Sequence, residues 1–500
     1  MSDAKTRYGA ADIRYVAAFD ADVSPARLHA ALALHDTVWN PPDRERLTFL
    51  DIGCGRGLTA CLLAAANPGW EVIGLDLQPV HVAEAREIAA EAGLDNARFI
   101  EADLAELDEE ASARLLPEVD IVLCNGVWTW VPDPVREGIV ALLKSRVKPG
   151  GLVRMGYNSL PGFADCIVLQ RILQEAAEGV AGSEAAKGAA ALSVLERLRG
   201  SGARYLPHPK VLDHIIETAR AAPAYMAHEW FTPFWRPAFH ADLARDLARA
   251  RLDYGGPARP GASLLHLQLD AERREALGSL PGHLDHETIA DAFLERRFRS
   301  DIFVRGRRPG GQAALAEVRF ALGVNPGNAA MRLGTQAGVA SLSEAQEQAI
   351  LAALAEGPQR VRDLAALPAC AGLTLPDIAI MLLETFTAHP LWRDIPTDPA
   401  IRARAARCNH VIARRLGREA LASRAQLGAV VPALGSAFAL GMSELAMVAA
   451  IQAGVPADPN ALAARLTRQG EGPEAVATVR KAAVATLGHH LEAWRAMGML

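Results

Sequence analysis

Cysteine is scarce in this chain and scattered along it. Among 500 residues there are six cysteines, with no CxxC pair and no histidine at the spacing of a metal ligand. This pattern is not that of a zinc site, and it fits a compartment in which thiols stay reduced. We therefore expect free thiols and no bound metal. The six residues are Cys54, Cys61, Cys124, Cys166, Cys370 and Cys408.

Basic residues are not in excess either. Lysine and arginine number 52 against 58 acidic residues, which gives a net charge of −6 and a pI near 6.2. Binding to a phosphate backbone needs clustered cations, so nucleic acid is not expected as a partner. Two basic runs, Arg296–Arg299 and Arg305–Arg308, have Glu295 and Asp301 close by. We interpret them as a solvated face or as salt bridges between domains.

Long uninterrupted apolar runs are also missing. The most apolar stretch, Leu427–Val455, is interrupted by Pro432, Gly435, Gly441 and Glu444, whereas a membrane span needs about 20 consecutive apolar residues. We expect two buried helices there and no membrane as a partner. The first residues, Met1–Lys5, lack the apolar core of a secretory signal, so a cytoplasmic protein is expected.

What is present is an alternation of short apolar runs and helical patterns between about residues 47 and 158. Such alternation is typical of βαβ units around a parallel sheet, and strands that are apolar on both faces are covered by helices on both sides. The pattern predicts helices that begin near Gly57, Pro79 and Asp133. The predicted strands are Leu47–Ile52, Glu71–Leu77, Ala97–Asp103, Val119–Gly126 and Leu152–Asn158.

The remainder of the chain has mainly helical patterns. A helix at Phe239–Arg251, followed by strands at Leu252–Gly256 and Ser263–Leu267, predicts that the α/β fold resumes near residue 236 after a helical insertion. A stretch rich in glycine and proline then predicts a linker. The predicted segments are a cofactor-binding core at 1–160, the insertion at 161–235, the completion of the sheet at 236–305, the linker at 306–340, a winged-helix-like domain at 341–398 and an all-helical domain at 399–500.

The clearest motif is Leu50–Gly57, which reads LDIGCGRG at the end of the first predicted strand. Glycines in a turn from strand to helix let a cofactor approach bare backbone. Asp76 ends the second strand, where a carboxylate can accept both hydroxyls of a ribose, and Asp103 follows the third, where it can accept an adenine amino group. A single aspartate at a strand end is often just a helix N-cap. Aspartates at the ends of three successive strands, Asp51, Asp76 and Asp103, indicate an adenosine-containing cofactor.

The position of Asp51 separates two such cofactors. Dinucleotide sites usually space their glycines as GxGxxG, which places a pyrophosphate on the helix N-terminus. Here the pattern is DxGxGxG, and the carboxylate inside the strand end repels pyrophosphate but suits the cationic sulfonium and ammonium of S-adenosylmethionine. We therefore predict S-adenosylmethionine as the cofactor. Its predicted binding residues are Asp51, Gly53, Cys54, Gly55, Gly57, Asp76, Leu77, Asp103, Leu104, Asn125 and Gly126.

Several segments resemble a known family. Asn125–Val131 and Met155–Gly162 are similar to the HGVYSWV and YVSYNxLPGW segments of class I S-adenosylmethionine-dependent methyltransferases that carry a methyltransferase regulatory domain, and Lys148–Gly151 matches the turn before their fifth strand. Tyr225–Trp230 and Arg296–Arg305 resemble the regulatory domain itself. The resemblance covers residues 10 to 305. The family includes bacterial protein lysine methyltransferases of the rickettsial outer-membrane-protein type, which are modular and dimeric.

This resemblance implies a doubly wound, seven-stranded, Rossmann-like α/β sheet with a helical insertion, followed by mostly α-helical C-terminal domains. It also implies a protein substrate with a lysine acceptor and leaves a homodimer open. The chain departs from the family at Asn125, where the family has histidine, and near the N-terminus, where only Tyr15 and Phe19 of an aromatic set are kept. These departures point to a difference in cofactor closure or acceptor choice.

The predicted catalytic residues are Asn125, Tyr157 and Asn158, and the predicted substrate-binding residues are Trp128 and Trp130. All of them lie at strand C-terminal ends, where ligands bind in such sheets. A lysine amine must lose its proton before it attacks, which calls for an apolar pocket or a nearby base. Aromatic rings can line its channel by cation–π contact, although core packing explains both tryptophans equally well.

Two alternatives stay open at this point. One is methylation of a sugar or small metabolite, which a histidine base would favour. The other is a cofactor-binding regulator with little turnover, which the altered Asn125 and N-terminal segment would fit. The histidines that come into question are His81, His208, His214 and His228.

Overall fold

A central sheet is formed by strands that lie between residues 48 and 305. The structure is a computed structural model that describes residues 16–221, 226, 230–467 and 472–500, so Tyr15, Tyr225 and His228 lie outside the described residues. The sheet has seven strands in the order β3-β2-β1-β4-β5-β7-β6, and all are parallel except β7. The strands are β1 (Thr48–Ile52), β2 (Glu71–Asp76), β3 (Ala97–Glu101), β4 (Val119–Asn125), β5 (Val147–Asn158), β6 (Leu252–Pro257) and β7 (Phe298–Arg305).

Helices cover both faces of this sheet because neighbouring strand residues alternate between them. Phe49 belongs to the apolar cluster on one face, and Leu50 belongs to the cluster on the other. Local signals set the helix ends: Pro79 opens one helix, and Gly93 closes it in a left-handed conformation. The helices that flank the sheet are Pro25–Leu34, Leu58–Ala66, Pro79–Ala92, Glu109–Leu115, Asp133–Arg146 and His240–Ala248.

The predicted doubly wound sheet is confirmed, but the prediction of its last strand is wrong. Residues 260–263 form a 3-10 turn and Leu265–Gln268 a short helix, so no strand lies at Ser263–Leu267. The seventh strand is Phe298–Arg305. Most of this segment is buried, but its charged residues make it look exposed in the sequence. Arg299 and Asp301 are both buried and pair with each other at 2.8 Å, which offsets the cost of burying either charge. In the run Arg296–Arg299, the interpretation as a solvated face is therefore wrong for Arg299, and Arg296 forms salt bridges with Glu287 and Asp291.

Between β5 and β6 the chain forms an insertion with an apolar cluster of its own. Its described helices include Ile167–Glu178, Glu184–Gly200 and Pro209–Ala221. Leu169, Leu195 and Ile216 pack in this cluster together with Trp230 and Trp235, which lead back to the sheet. The insertion therefore lies beside the C-terminal ends of the strands. Between β6 and β7 the described helices are Leu265–Gln268, Ala271–Gly278 and His286–Asp291.

The prediction of a linker at residues 306–340 is wrong, because this stretch is folded. It contains the helix Gly311–Glu317 and the strand Arg319–Leu322, which is the centre of a sheet with Gln359–Arg360 and Ala388–Pro390. Glycine and proline here mark turns within a folded unit. The same unit contains the hairpin strands Arg332–Thr335 and Gly338–Ser341 and the helices Glu344–Ala355, Val361–Ala365 and Leu375–Glu384. Ile378 through Leu383 are buried, so the last of these helices packs in the interior.

The C-terminal region is not all-helical, which corrects the expectation for Leu427–Val455. Strands Leu427–Val431 and Ser436–Leu440 form a buried hairpin, because Pro432 and Gly435 (φ +62°) make its turn. The helices are Pro399–Ser423, Met442–Gln452, Pro459–Leu466 and Pro473–Ala496. The hairpin and the first helix share one apolar core with the sheet. None of the described helices has the length and apolar character that crossing a bilayer requires.

Candidate functional site

A cavity of about 560 Å³ opens where β1, β2, β4 and β5 end. It lies at the carboxyl edge of the parallel strands, where ligands bind in open α/β sheets. Three parts of the chain contribute: the glycine turn after β1, the tips of β2, β4 and β5, and a segment before the first helix. The principal lining residues are Val16, Ala17, Asp20, Asp51, Gly53, Cys54, Gly55, Arg56, Thr59, Asp76, Leu77, His81, Asn125, Gly126, Val127, Trp130, Val131, Asn158 and Phe298.

The turn between β1 and the next helix requires glycine for two physical reasons. Gly53 has φ +72°, and a Cβ added there would lie 2.4 Å from Val127. Gly55 has φ +52° and nothing within 4 Å of such a Cβ, so its bare backbone faces the cavity. Residues other than glycine rarely adopt either backbone conformation. The predicted glycine motif therefore does form a cradle in which a ligand can touch backbone.

Asp76 at the tip of β2 holds this turn. Its Oδ2 accepts a hydrogen bond from the Gly55 amide at 2.8 Å, and its Oδ1 accepts one from the Gln78 amide at 2.9 Å. His81 Nδ1 lies 3.3 Å from the same Oδ1. Each carboxylate oxygen has a second lone pair, so the group can still accept from hydroxyls of a ligand. The geometry fits the predicted ribose contact.

Asp51 is the most unusual acid of the cavity. It is 4% exposed at the end of β1. Burial and then repulsion by Asp76 raise its pKa to about 7, against a smaller opposite effect of Arg154. A bound cation would favour the ionised form of such a carboxyl. The site therefore suits a ligand that carries positive charge.

Three of the predicted cofactor residues do not line the cavity. Gly57 caps the helix Leu58–Ala66, and Asp103 caps a 3-10 turn by accepting from the amide of Ala105 at 2.9 Å. Leu104 belongs to the same turn. A contact between Asp103 or Leu104 and a bound adenine stays a prediction.

Asn125 at the tip of β4 is bound to a buried arginine that sequence reasoning missed. Arg154 on β5 is 1% exposed and donates from Nη1 to Asn125 Oδ1 at 2.5 Å and from Nη2 to Asp20 Oδ2 at 2.6 Å. Asp20 lines the cavity from the N-terminal segment. Burial disfavours its charge, but the charges of Arg154 and Arg259 and the hydrogen bond from the Asp22 amide together outweigh this and lower the pKa of Asp20. The signal that could have found Arg154 is a charge within a strand whose neighbours are apolar.

The two candidates at the end of β5 point in opposite directions. Asn158 lines the cavity. Tyr157 is fully buried, and its hydroxyl donates to Asp301 Oδ2 at 2.7 Å in the interior. Burial and the charge of Asp301 raise the pKa of Tyr157 well above its usual range. Tyr157 is thus placed in the core and away from the lining, in disagreement with its predicted catalytic role.

The two tryptophans after β4 also differ. Trp128 is 3% exposed, packs in the core and accepts from Arg136 through its carbonyl at 2.9 Å. Trp130 lines the cavity, with its ring 6.2 Å from that of Trp235. Phe163 meets Trp235 edge-on at 5.5 Å. The aromatic wall of the cavity is therefore Trp130 backed by the insertion, and Trp128 does not take part.

Comparison with known proteins agrees with this geometry. A family model described as a methyltransferase domain matches residues 49–151, which contain the glycine turn and the tips of β1, β2 and β4. A second model, a predicted methyltransferase regulatory domain, matches residues 222–305. The chain is an S-adenosylmethionine-dependent methyltransferase with a methyltransferase regulatory domain. The acids and bare backbone of the cavity fit this cofactor.

Relatives of this methyltransferase cover it to different extents. The protein sll1526 of Synechocystis sp. is 27% identical over 369 residues, which are 73% of this chain and 72% of the relative. The protein RP028 of Rickettsia prowazekii is 31% identical over 124 residues, and the match spans 25% of this chain and 48% of the relative. The structure of PKMT2 from Rickettsia typhi in complex with AdoHcy matches with a TM-score of 0.66 at 17% identity, over 96% of this chain and 99% of that one. This likeness shows a shared fold.

No group of three or more metal-ligating side chains occurs among the residues that the structure describes. Among the described residues, His81 is the one histidine of the cavity lining, and its Nδ1 lies beside the Asp76 carboxylate. His208 and His214 belong to the insertion and do not line the cavity.

Proposed function

We propose that this methyltransferase transfers the methyl group to the amine of a lysine on a protein. The observation that carries the proposal is the aromatic wall around Trp130 in the cavity lining. An aromatic face attracts an ammonium group by cation–π interaction. A cationic side chain that enters from the protein surface would be guided by it.

The cofactor half of the cavity would hold S-adenosylmethionine through residues already described. Asp76 would accept from the ribose hydroxyls, and Asp51 would pair with the positive charge of the methionine end. Asp103 and Leu104 remain the proposed adenine contacts. When bound, the cofactor supplies a methyl group on a sulfonium that is already activated for displacement. The protein therefore has to orient the acceptor and exclude water.

The acceptor half of the cavity would favour a neutral amine. An exposed lysine has a pKa near 10.4, and surroundings that desolvate the ammonium lower it. Val127, Val131 and Trp130 provide such apolar surroundings in the lining. We propose that Asn125 and Asn158, the two amides at the strand tips, orient the amine.

The whole-chain comparison supports this acceptor. PKMT2, by its name a protein lysine methyltransferase, shares the fold over 96% of this chain, which includes the C-terminal region as well as the sheet. The placement of His81 at Asp76 leaves it at the cofactor end. A histidine that deprotonates an acceptor hydroxyl would have to stand at the acceptor end, so the described lining favours an amine over a sugar hydroxyl.

The test is a labelling experiment with the intact protein. Purified protein and methyl-labelled S-adenosylmethionine would be incubated with an extract of cells that lack this protein, and the extract would then be separated into proteins, glycans and small molecules. We expect label in protein, recovered as methylated lysine after acid hydrolysis. Label confined to glycans or small molecules would overturn the proposal, and cofactor binding without any transfer would favour the regulator.

Two aspartate variants provide the matched controls. Asp76→Ala removes the cavity carboxylate and is expected to abolish cofactor binding and labelling with little loss of fold. Asp120→Ala removes a carboxylate at the start of β4, on the opposite edge of the sheet, where Asp120 accepts from the Thr48 amide and from Lys148, both at 2.8 Å. It should leave cofactor binding unchanged.

A further inference from the structure

The glycine turn contains one long side chain, that of Arg56. Glycines at 53, 55 and 57 surround it, all with positive φ, so the backbone itself has little stiffness. The Arg56 side chain is 1% exposed although the residue lines the cavity. Its contacts are therefore well placed to set the shape of the turn.

Among the contacts between described residues, Arg56 is held by two helices. Its Nε and Nη2 donate to both oxygens of Glu84 at 2.8 and 2.7 Å, within the helix Pro79–Ala92. Its Nη1 donates at 2.5 Å to Oε2 of Glu419, which belongs to the helix Pro399–Ser423 of the C-terminal region. A buried guanidinium needs such partners, because an unpaired buried charge is costly.

The C-terminal region also contacts the N-terminal segment that lines the cavity. The amide of Phe19 donates to the carbonyl of Gln426 at 2.9 Å, and the hydroxyl of Ser24 donates to the carbonyl of Leu434 at 3.3 Å. Residues 16–18, 20 and 23 of this N-terminal segment line the cavity. Residues 419 to 434 thus contact both the glycine turn and the N-terminal segment of the cavity lining.

We propose that Glu419 is a positioning residue of the cofactor site and acts through Arg56. It keeps the glycine turn in the conformation in which the Gly55 backbone is open to the cavity. The helix Pro399–Ser423 is then a working part of the cofactor site as well as a packing element. A ligand or partner that moved this helix would change cofactor affinity at the other end of the chain.

The test measures cofactor affinity without any acceptor. The Glu419→Ala variant should bind S-adenosylmethionine and its demethylated product about tenfold more weakly by calorimetry. The side chain of Glu419 is 31% exposed, so the variant should fold. In an Arg56→Gln background, the same Glu419→Ala change should have no further effect, because the connection is already broken.

Arg415→Ala is the matched control for stability. Arg415 lies one turn earlier on the same helix and pairs with Glu87 at 2.6 Å and with Glu91, on the same partner helix that carries Glu84. This variant should lower the melting temperature as Glu419→Ala does but leave cofactor affinity within twofold. The proposal fails if Glu419→Ala binds cofactor like the wild type, or if Arg415→Ala weakens binding equally.

Discussion

Arg154 donates a hydrogen bond to the side-chain oxygen of Asn125 at 2.5 Å. A guanidinium has no acceptor atom, so this contact fixes the orientation of the Asn125 amide group. The oxygen of Asn125 faces Arg154, and its NH2 group is left for the cavity. A Cβ on Gly156 would lie 1.9 Å from that oxygen, so the glycine is needed for this arrangement. The cavity thus meets a neutral hydrogen-bond donor at the tip of β4.

Replacing Asn125 by aspartate tests what this neutral donor does. The carboxylate can still accept from Arg154, so Asn125→Asp should be as stable as the wild type. An added negative charge raises the pKa of an amine beside it, and less of the acceptor is then neutral. We expect methyl transfer to protein to fall at least tenfold at pH 7.5 and to recover at higher pH. The pH profile of kcat/KM checks this, and an unchanged profile would contradict it.

The raised pKa of Asp51 predicts that cofactor affinity depends on pH. Ionised Asp51 attracts the cationic cofactor, and with a pKa of about 7 this form is gained as the pH rises. The Kd of S-adenosylmethionine should therefore fall from pH 5.5 to 7.5, by up to about tenfold per pH unit below 7. Calorimetry on wild type and Asp51→Asn measures the effect. The variant should bind more weakly and lack this dependence, and a parallel slope in both proteins would assign it to another group.

The same carboxyl should reduce the stability of the protein without cofactor as the pH rises. Its pKa is about 7 in the folded chain against an ordinary 3.8, so the folded state retains the proton longer. Stability is therefore lost between about pH 4 and 7 and stays at the lower level above. Asp51→Asn removes this loss. Its melting temperature should exceed that of the wild type by a few degrees at pH 8 and by less at pH 5, and an equal difference at both would refute the assignment.

The cofactor half of the cavity could be predicted from the sequence because its signals are local. Asp51, Gly53 and Gly55 lie in one strand and turn, and Asp76 ends the next strand. A glycine that must adopt positive φ is visible in the sequence as a glycine. Asp20, Arg154 and Glu419 were missed because tertiary packing alone brings them to the site. Asp20 and Arg154 are 134 residues apart, and Arg56 and Glu419 are 363 apart.

The acceptor half could be predicted only in part because side-chain direction is not local information. Tyr157 and Asn158 are neighbours in a strand, so one must face the core if the other faces the cavity. Trp128 and Trp130 share one 3-10 turn, and their directions depend on its backbone. The sequence of these segments therefore predicts where the acceptor half lies. The fold determines which residue of each pair lines the cavity.

The placement of Tyr157 predicts a structural role that Tyr157→Phe can test. The variant loses one hydrogen bond to Asp301, which still accepts from Arg299 Nε at 2.8 Å. We expect a loss of about 1 kcal/mol in the free energy of unfolding. Cofactor affinity and turnover should stay within twofold of the wild type. A tenfold loss of kcat at normal stability would instead return Tyr157 to the catalytic residues.

The two tryptophans after β4 offer a paired test of acceptor binding. Trp130→Ala removes the aromatic face of the cavity, so the KM for the acceptor protein should rise about fivefold or more while the Kd for cofactor changes little. Trp130→Phe should restore part of the loss, since a phenyl ring retains some cation–π attraction. Trp128→Phe changes a buried ring outside the lining and should lower the melting temperature without affecting either constant. If Trp130→Ala weakens cofactor binding as strongly as acceptor binding, the wall belongs to the cofactor half, and the lysine proposal loses the observation that carries it.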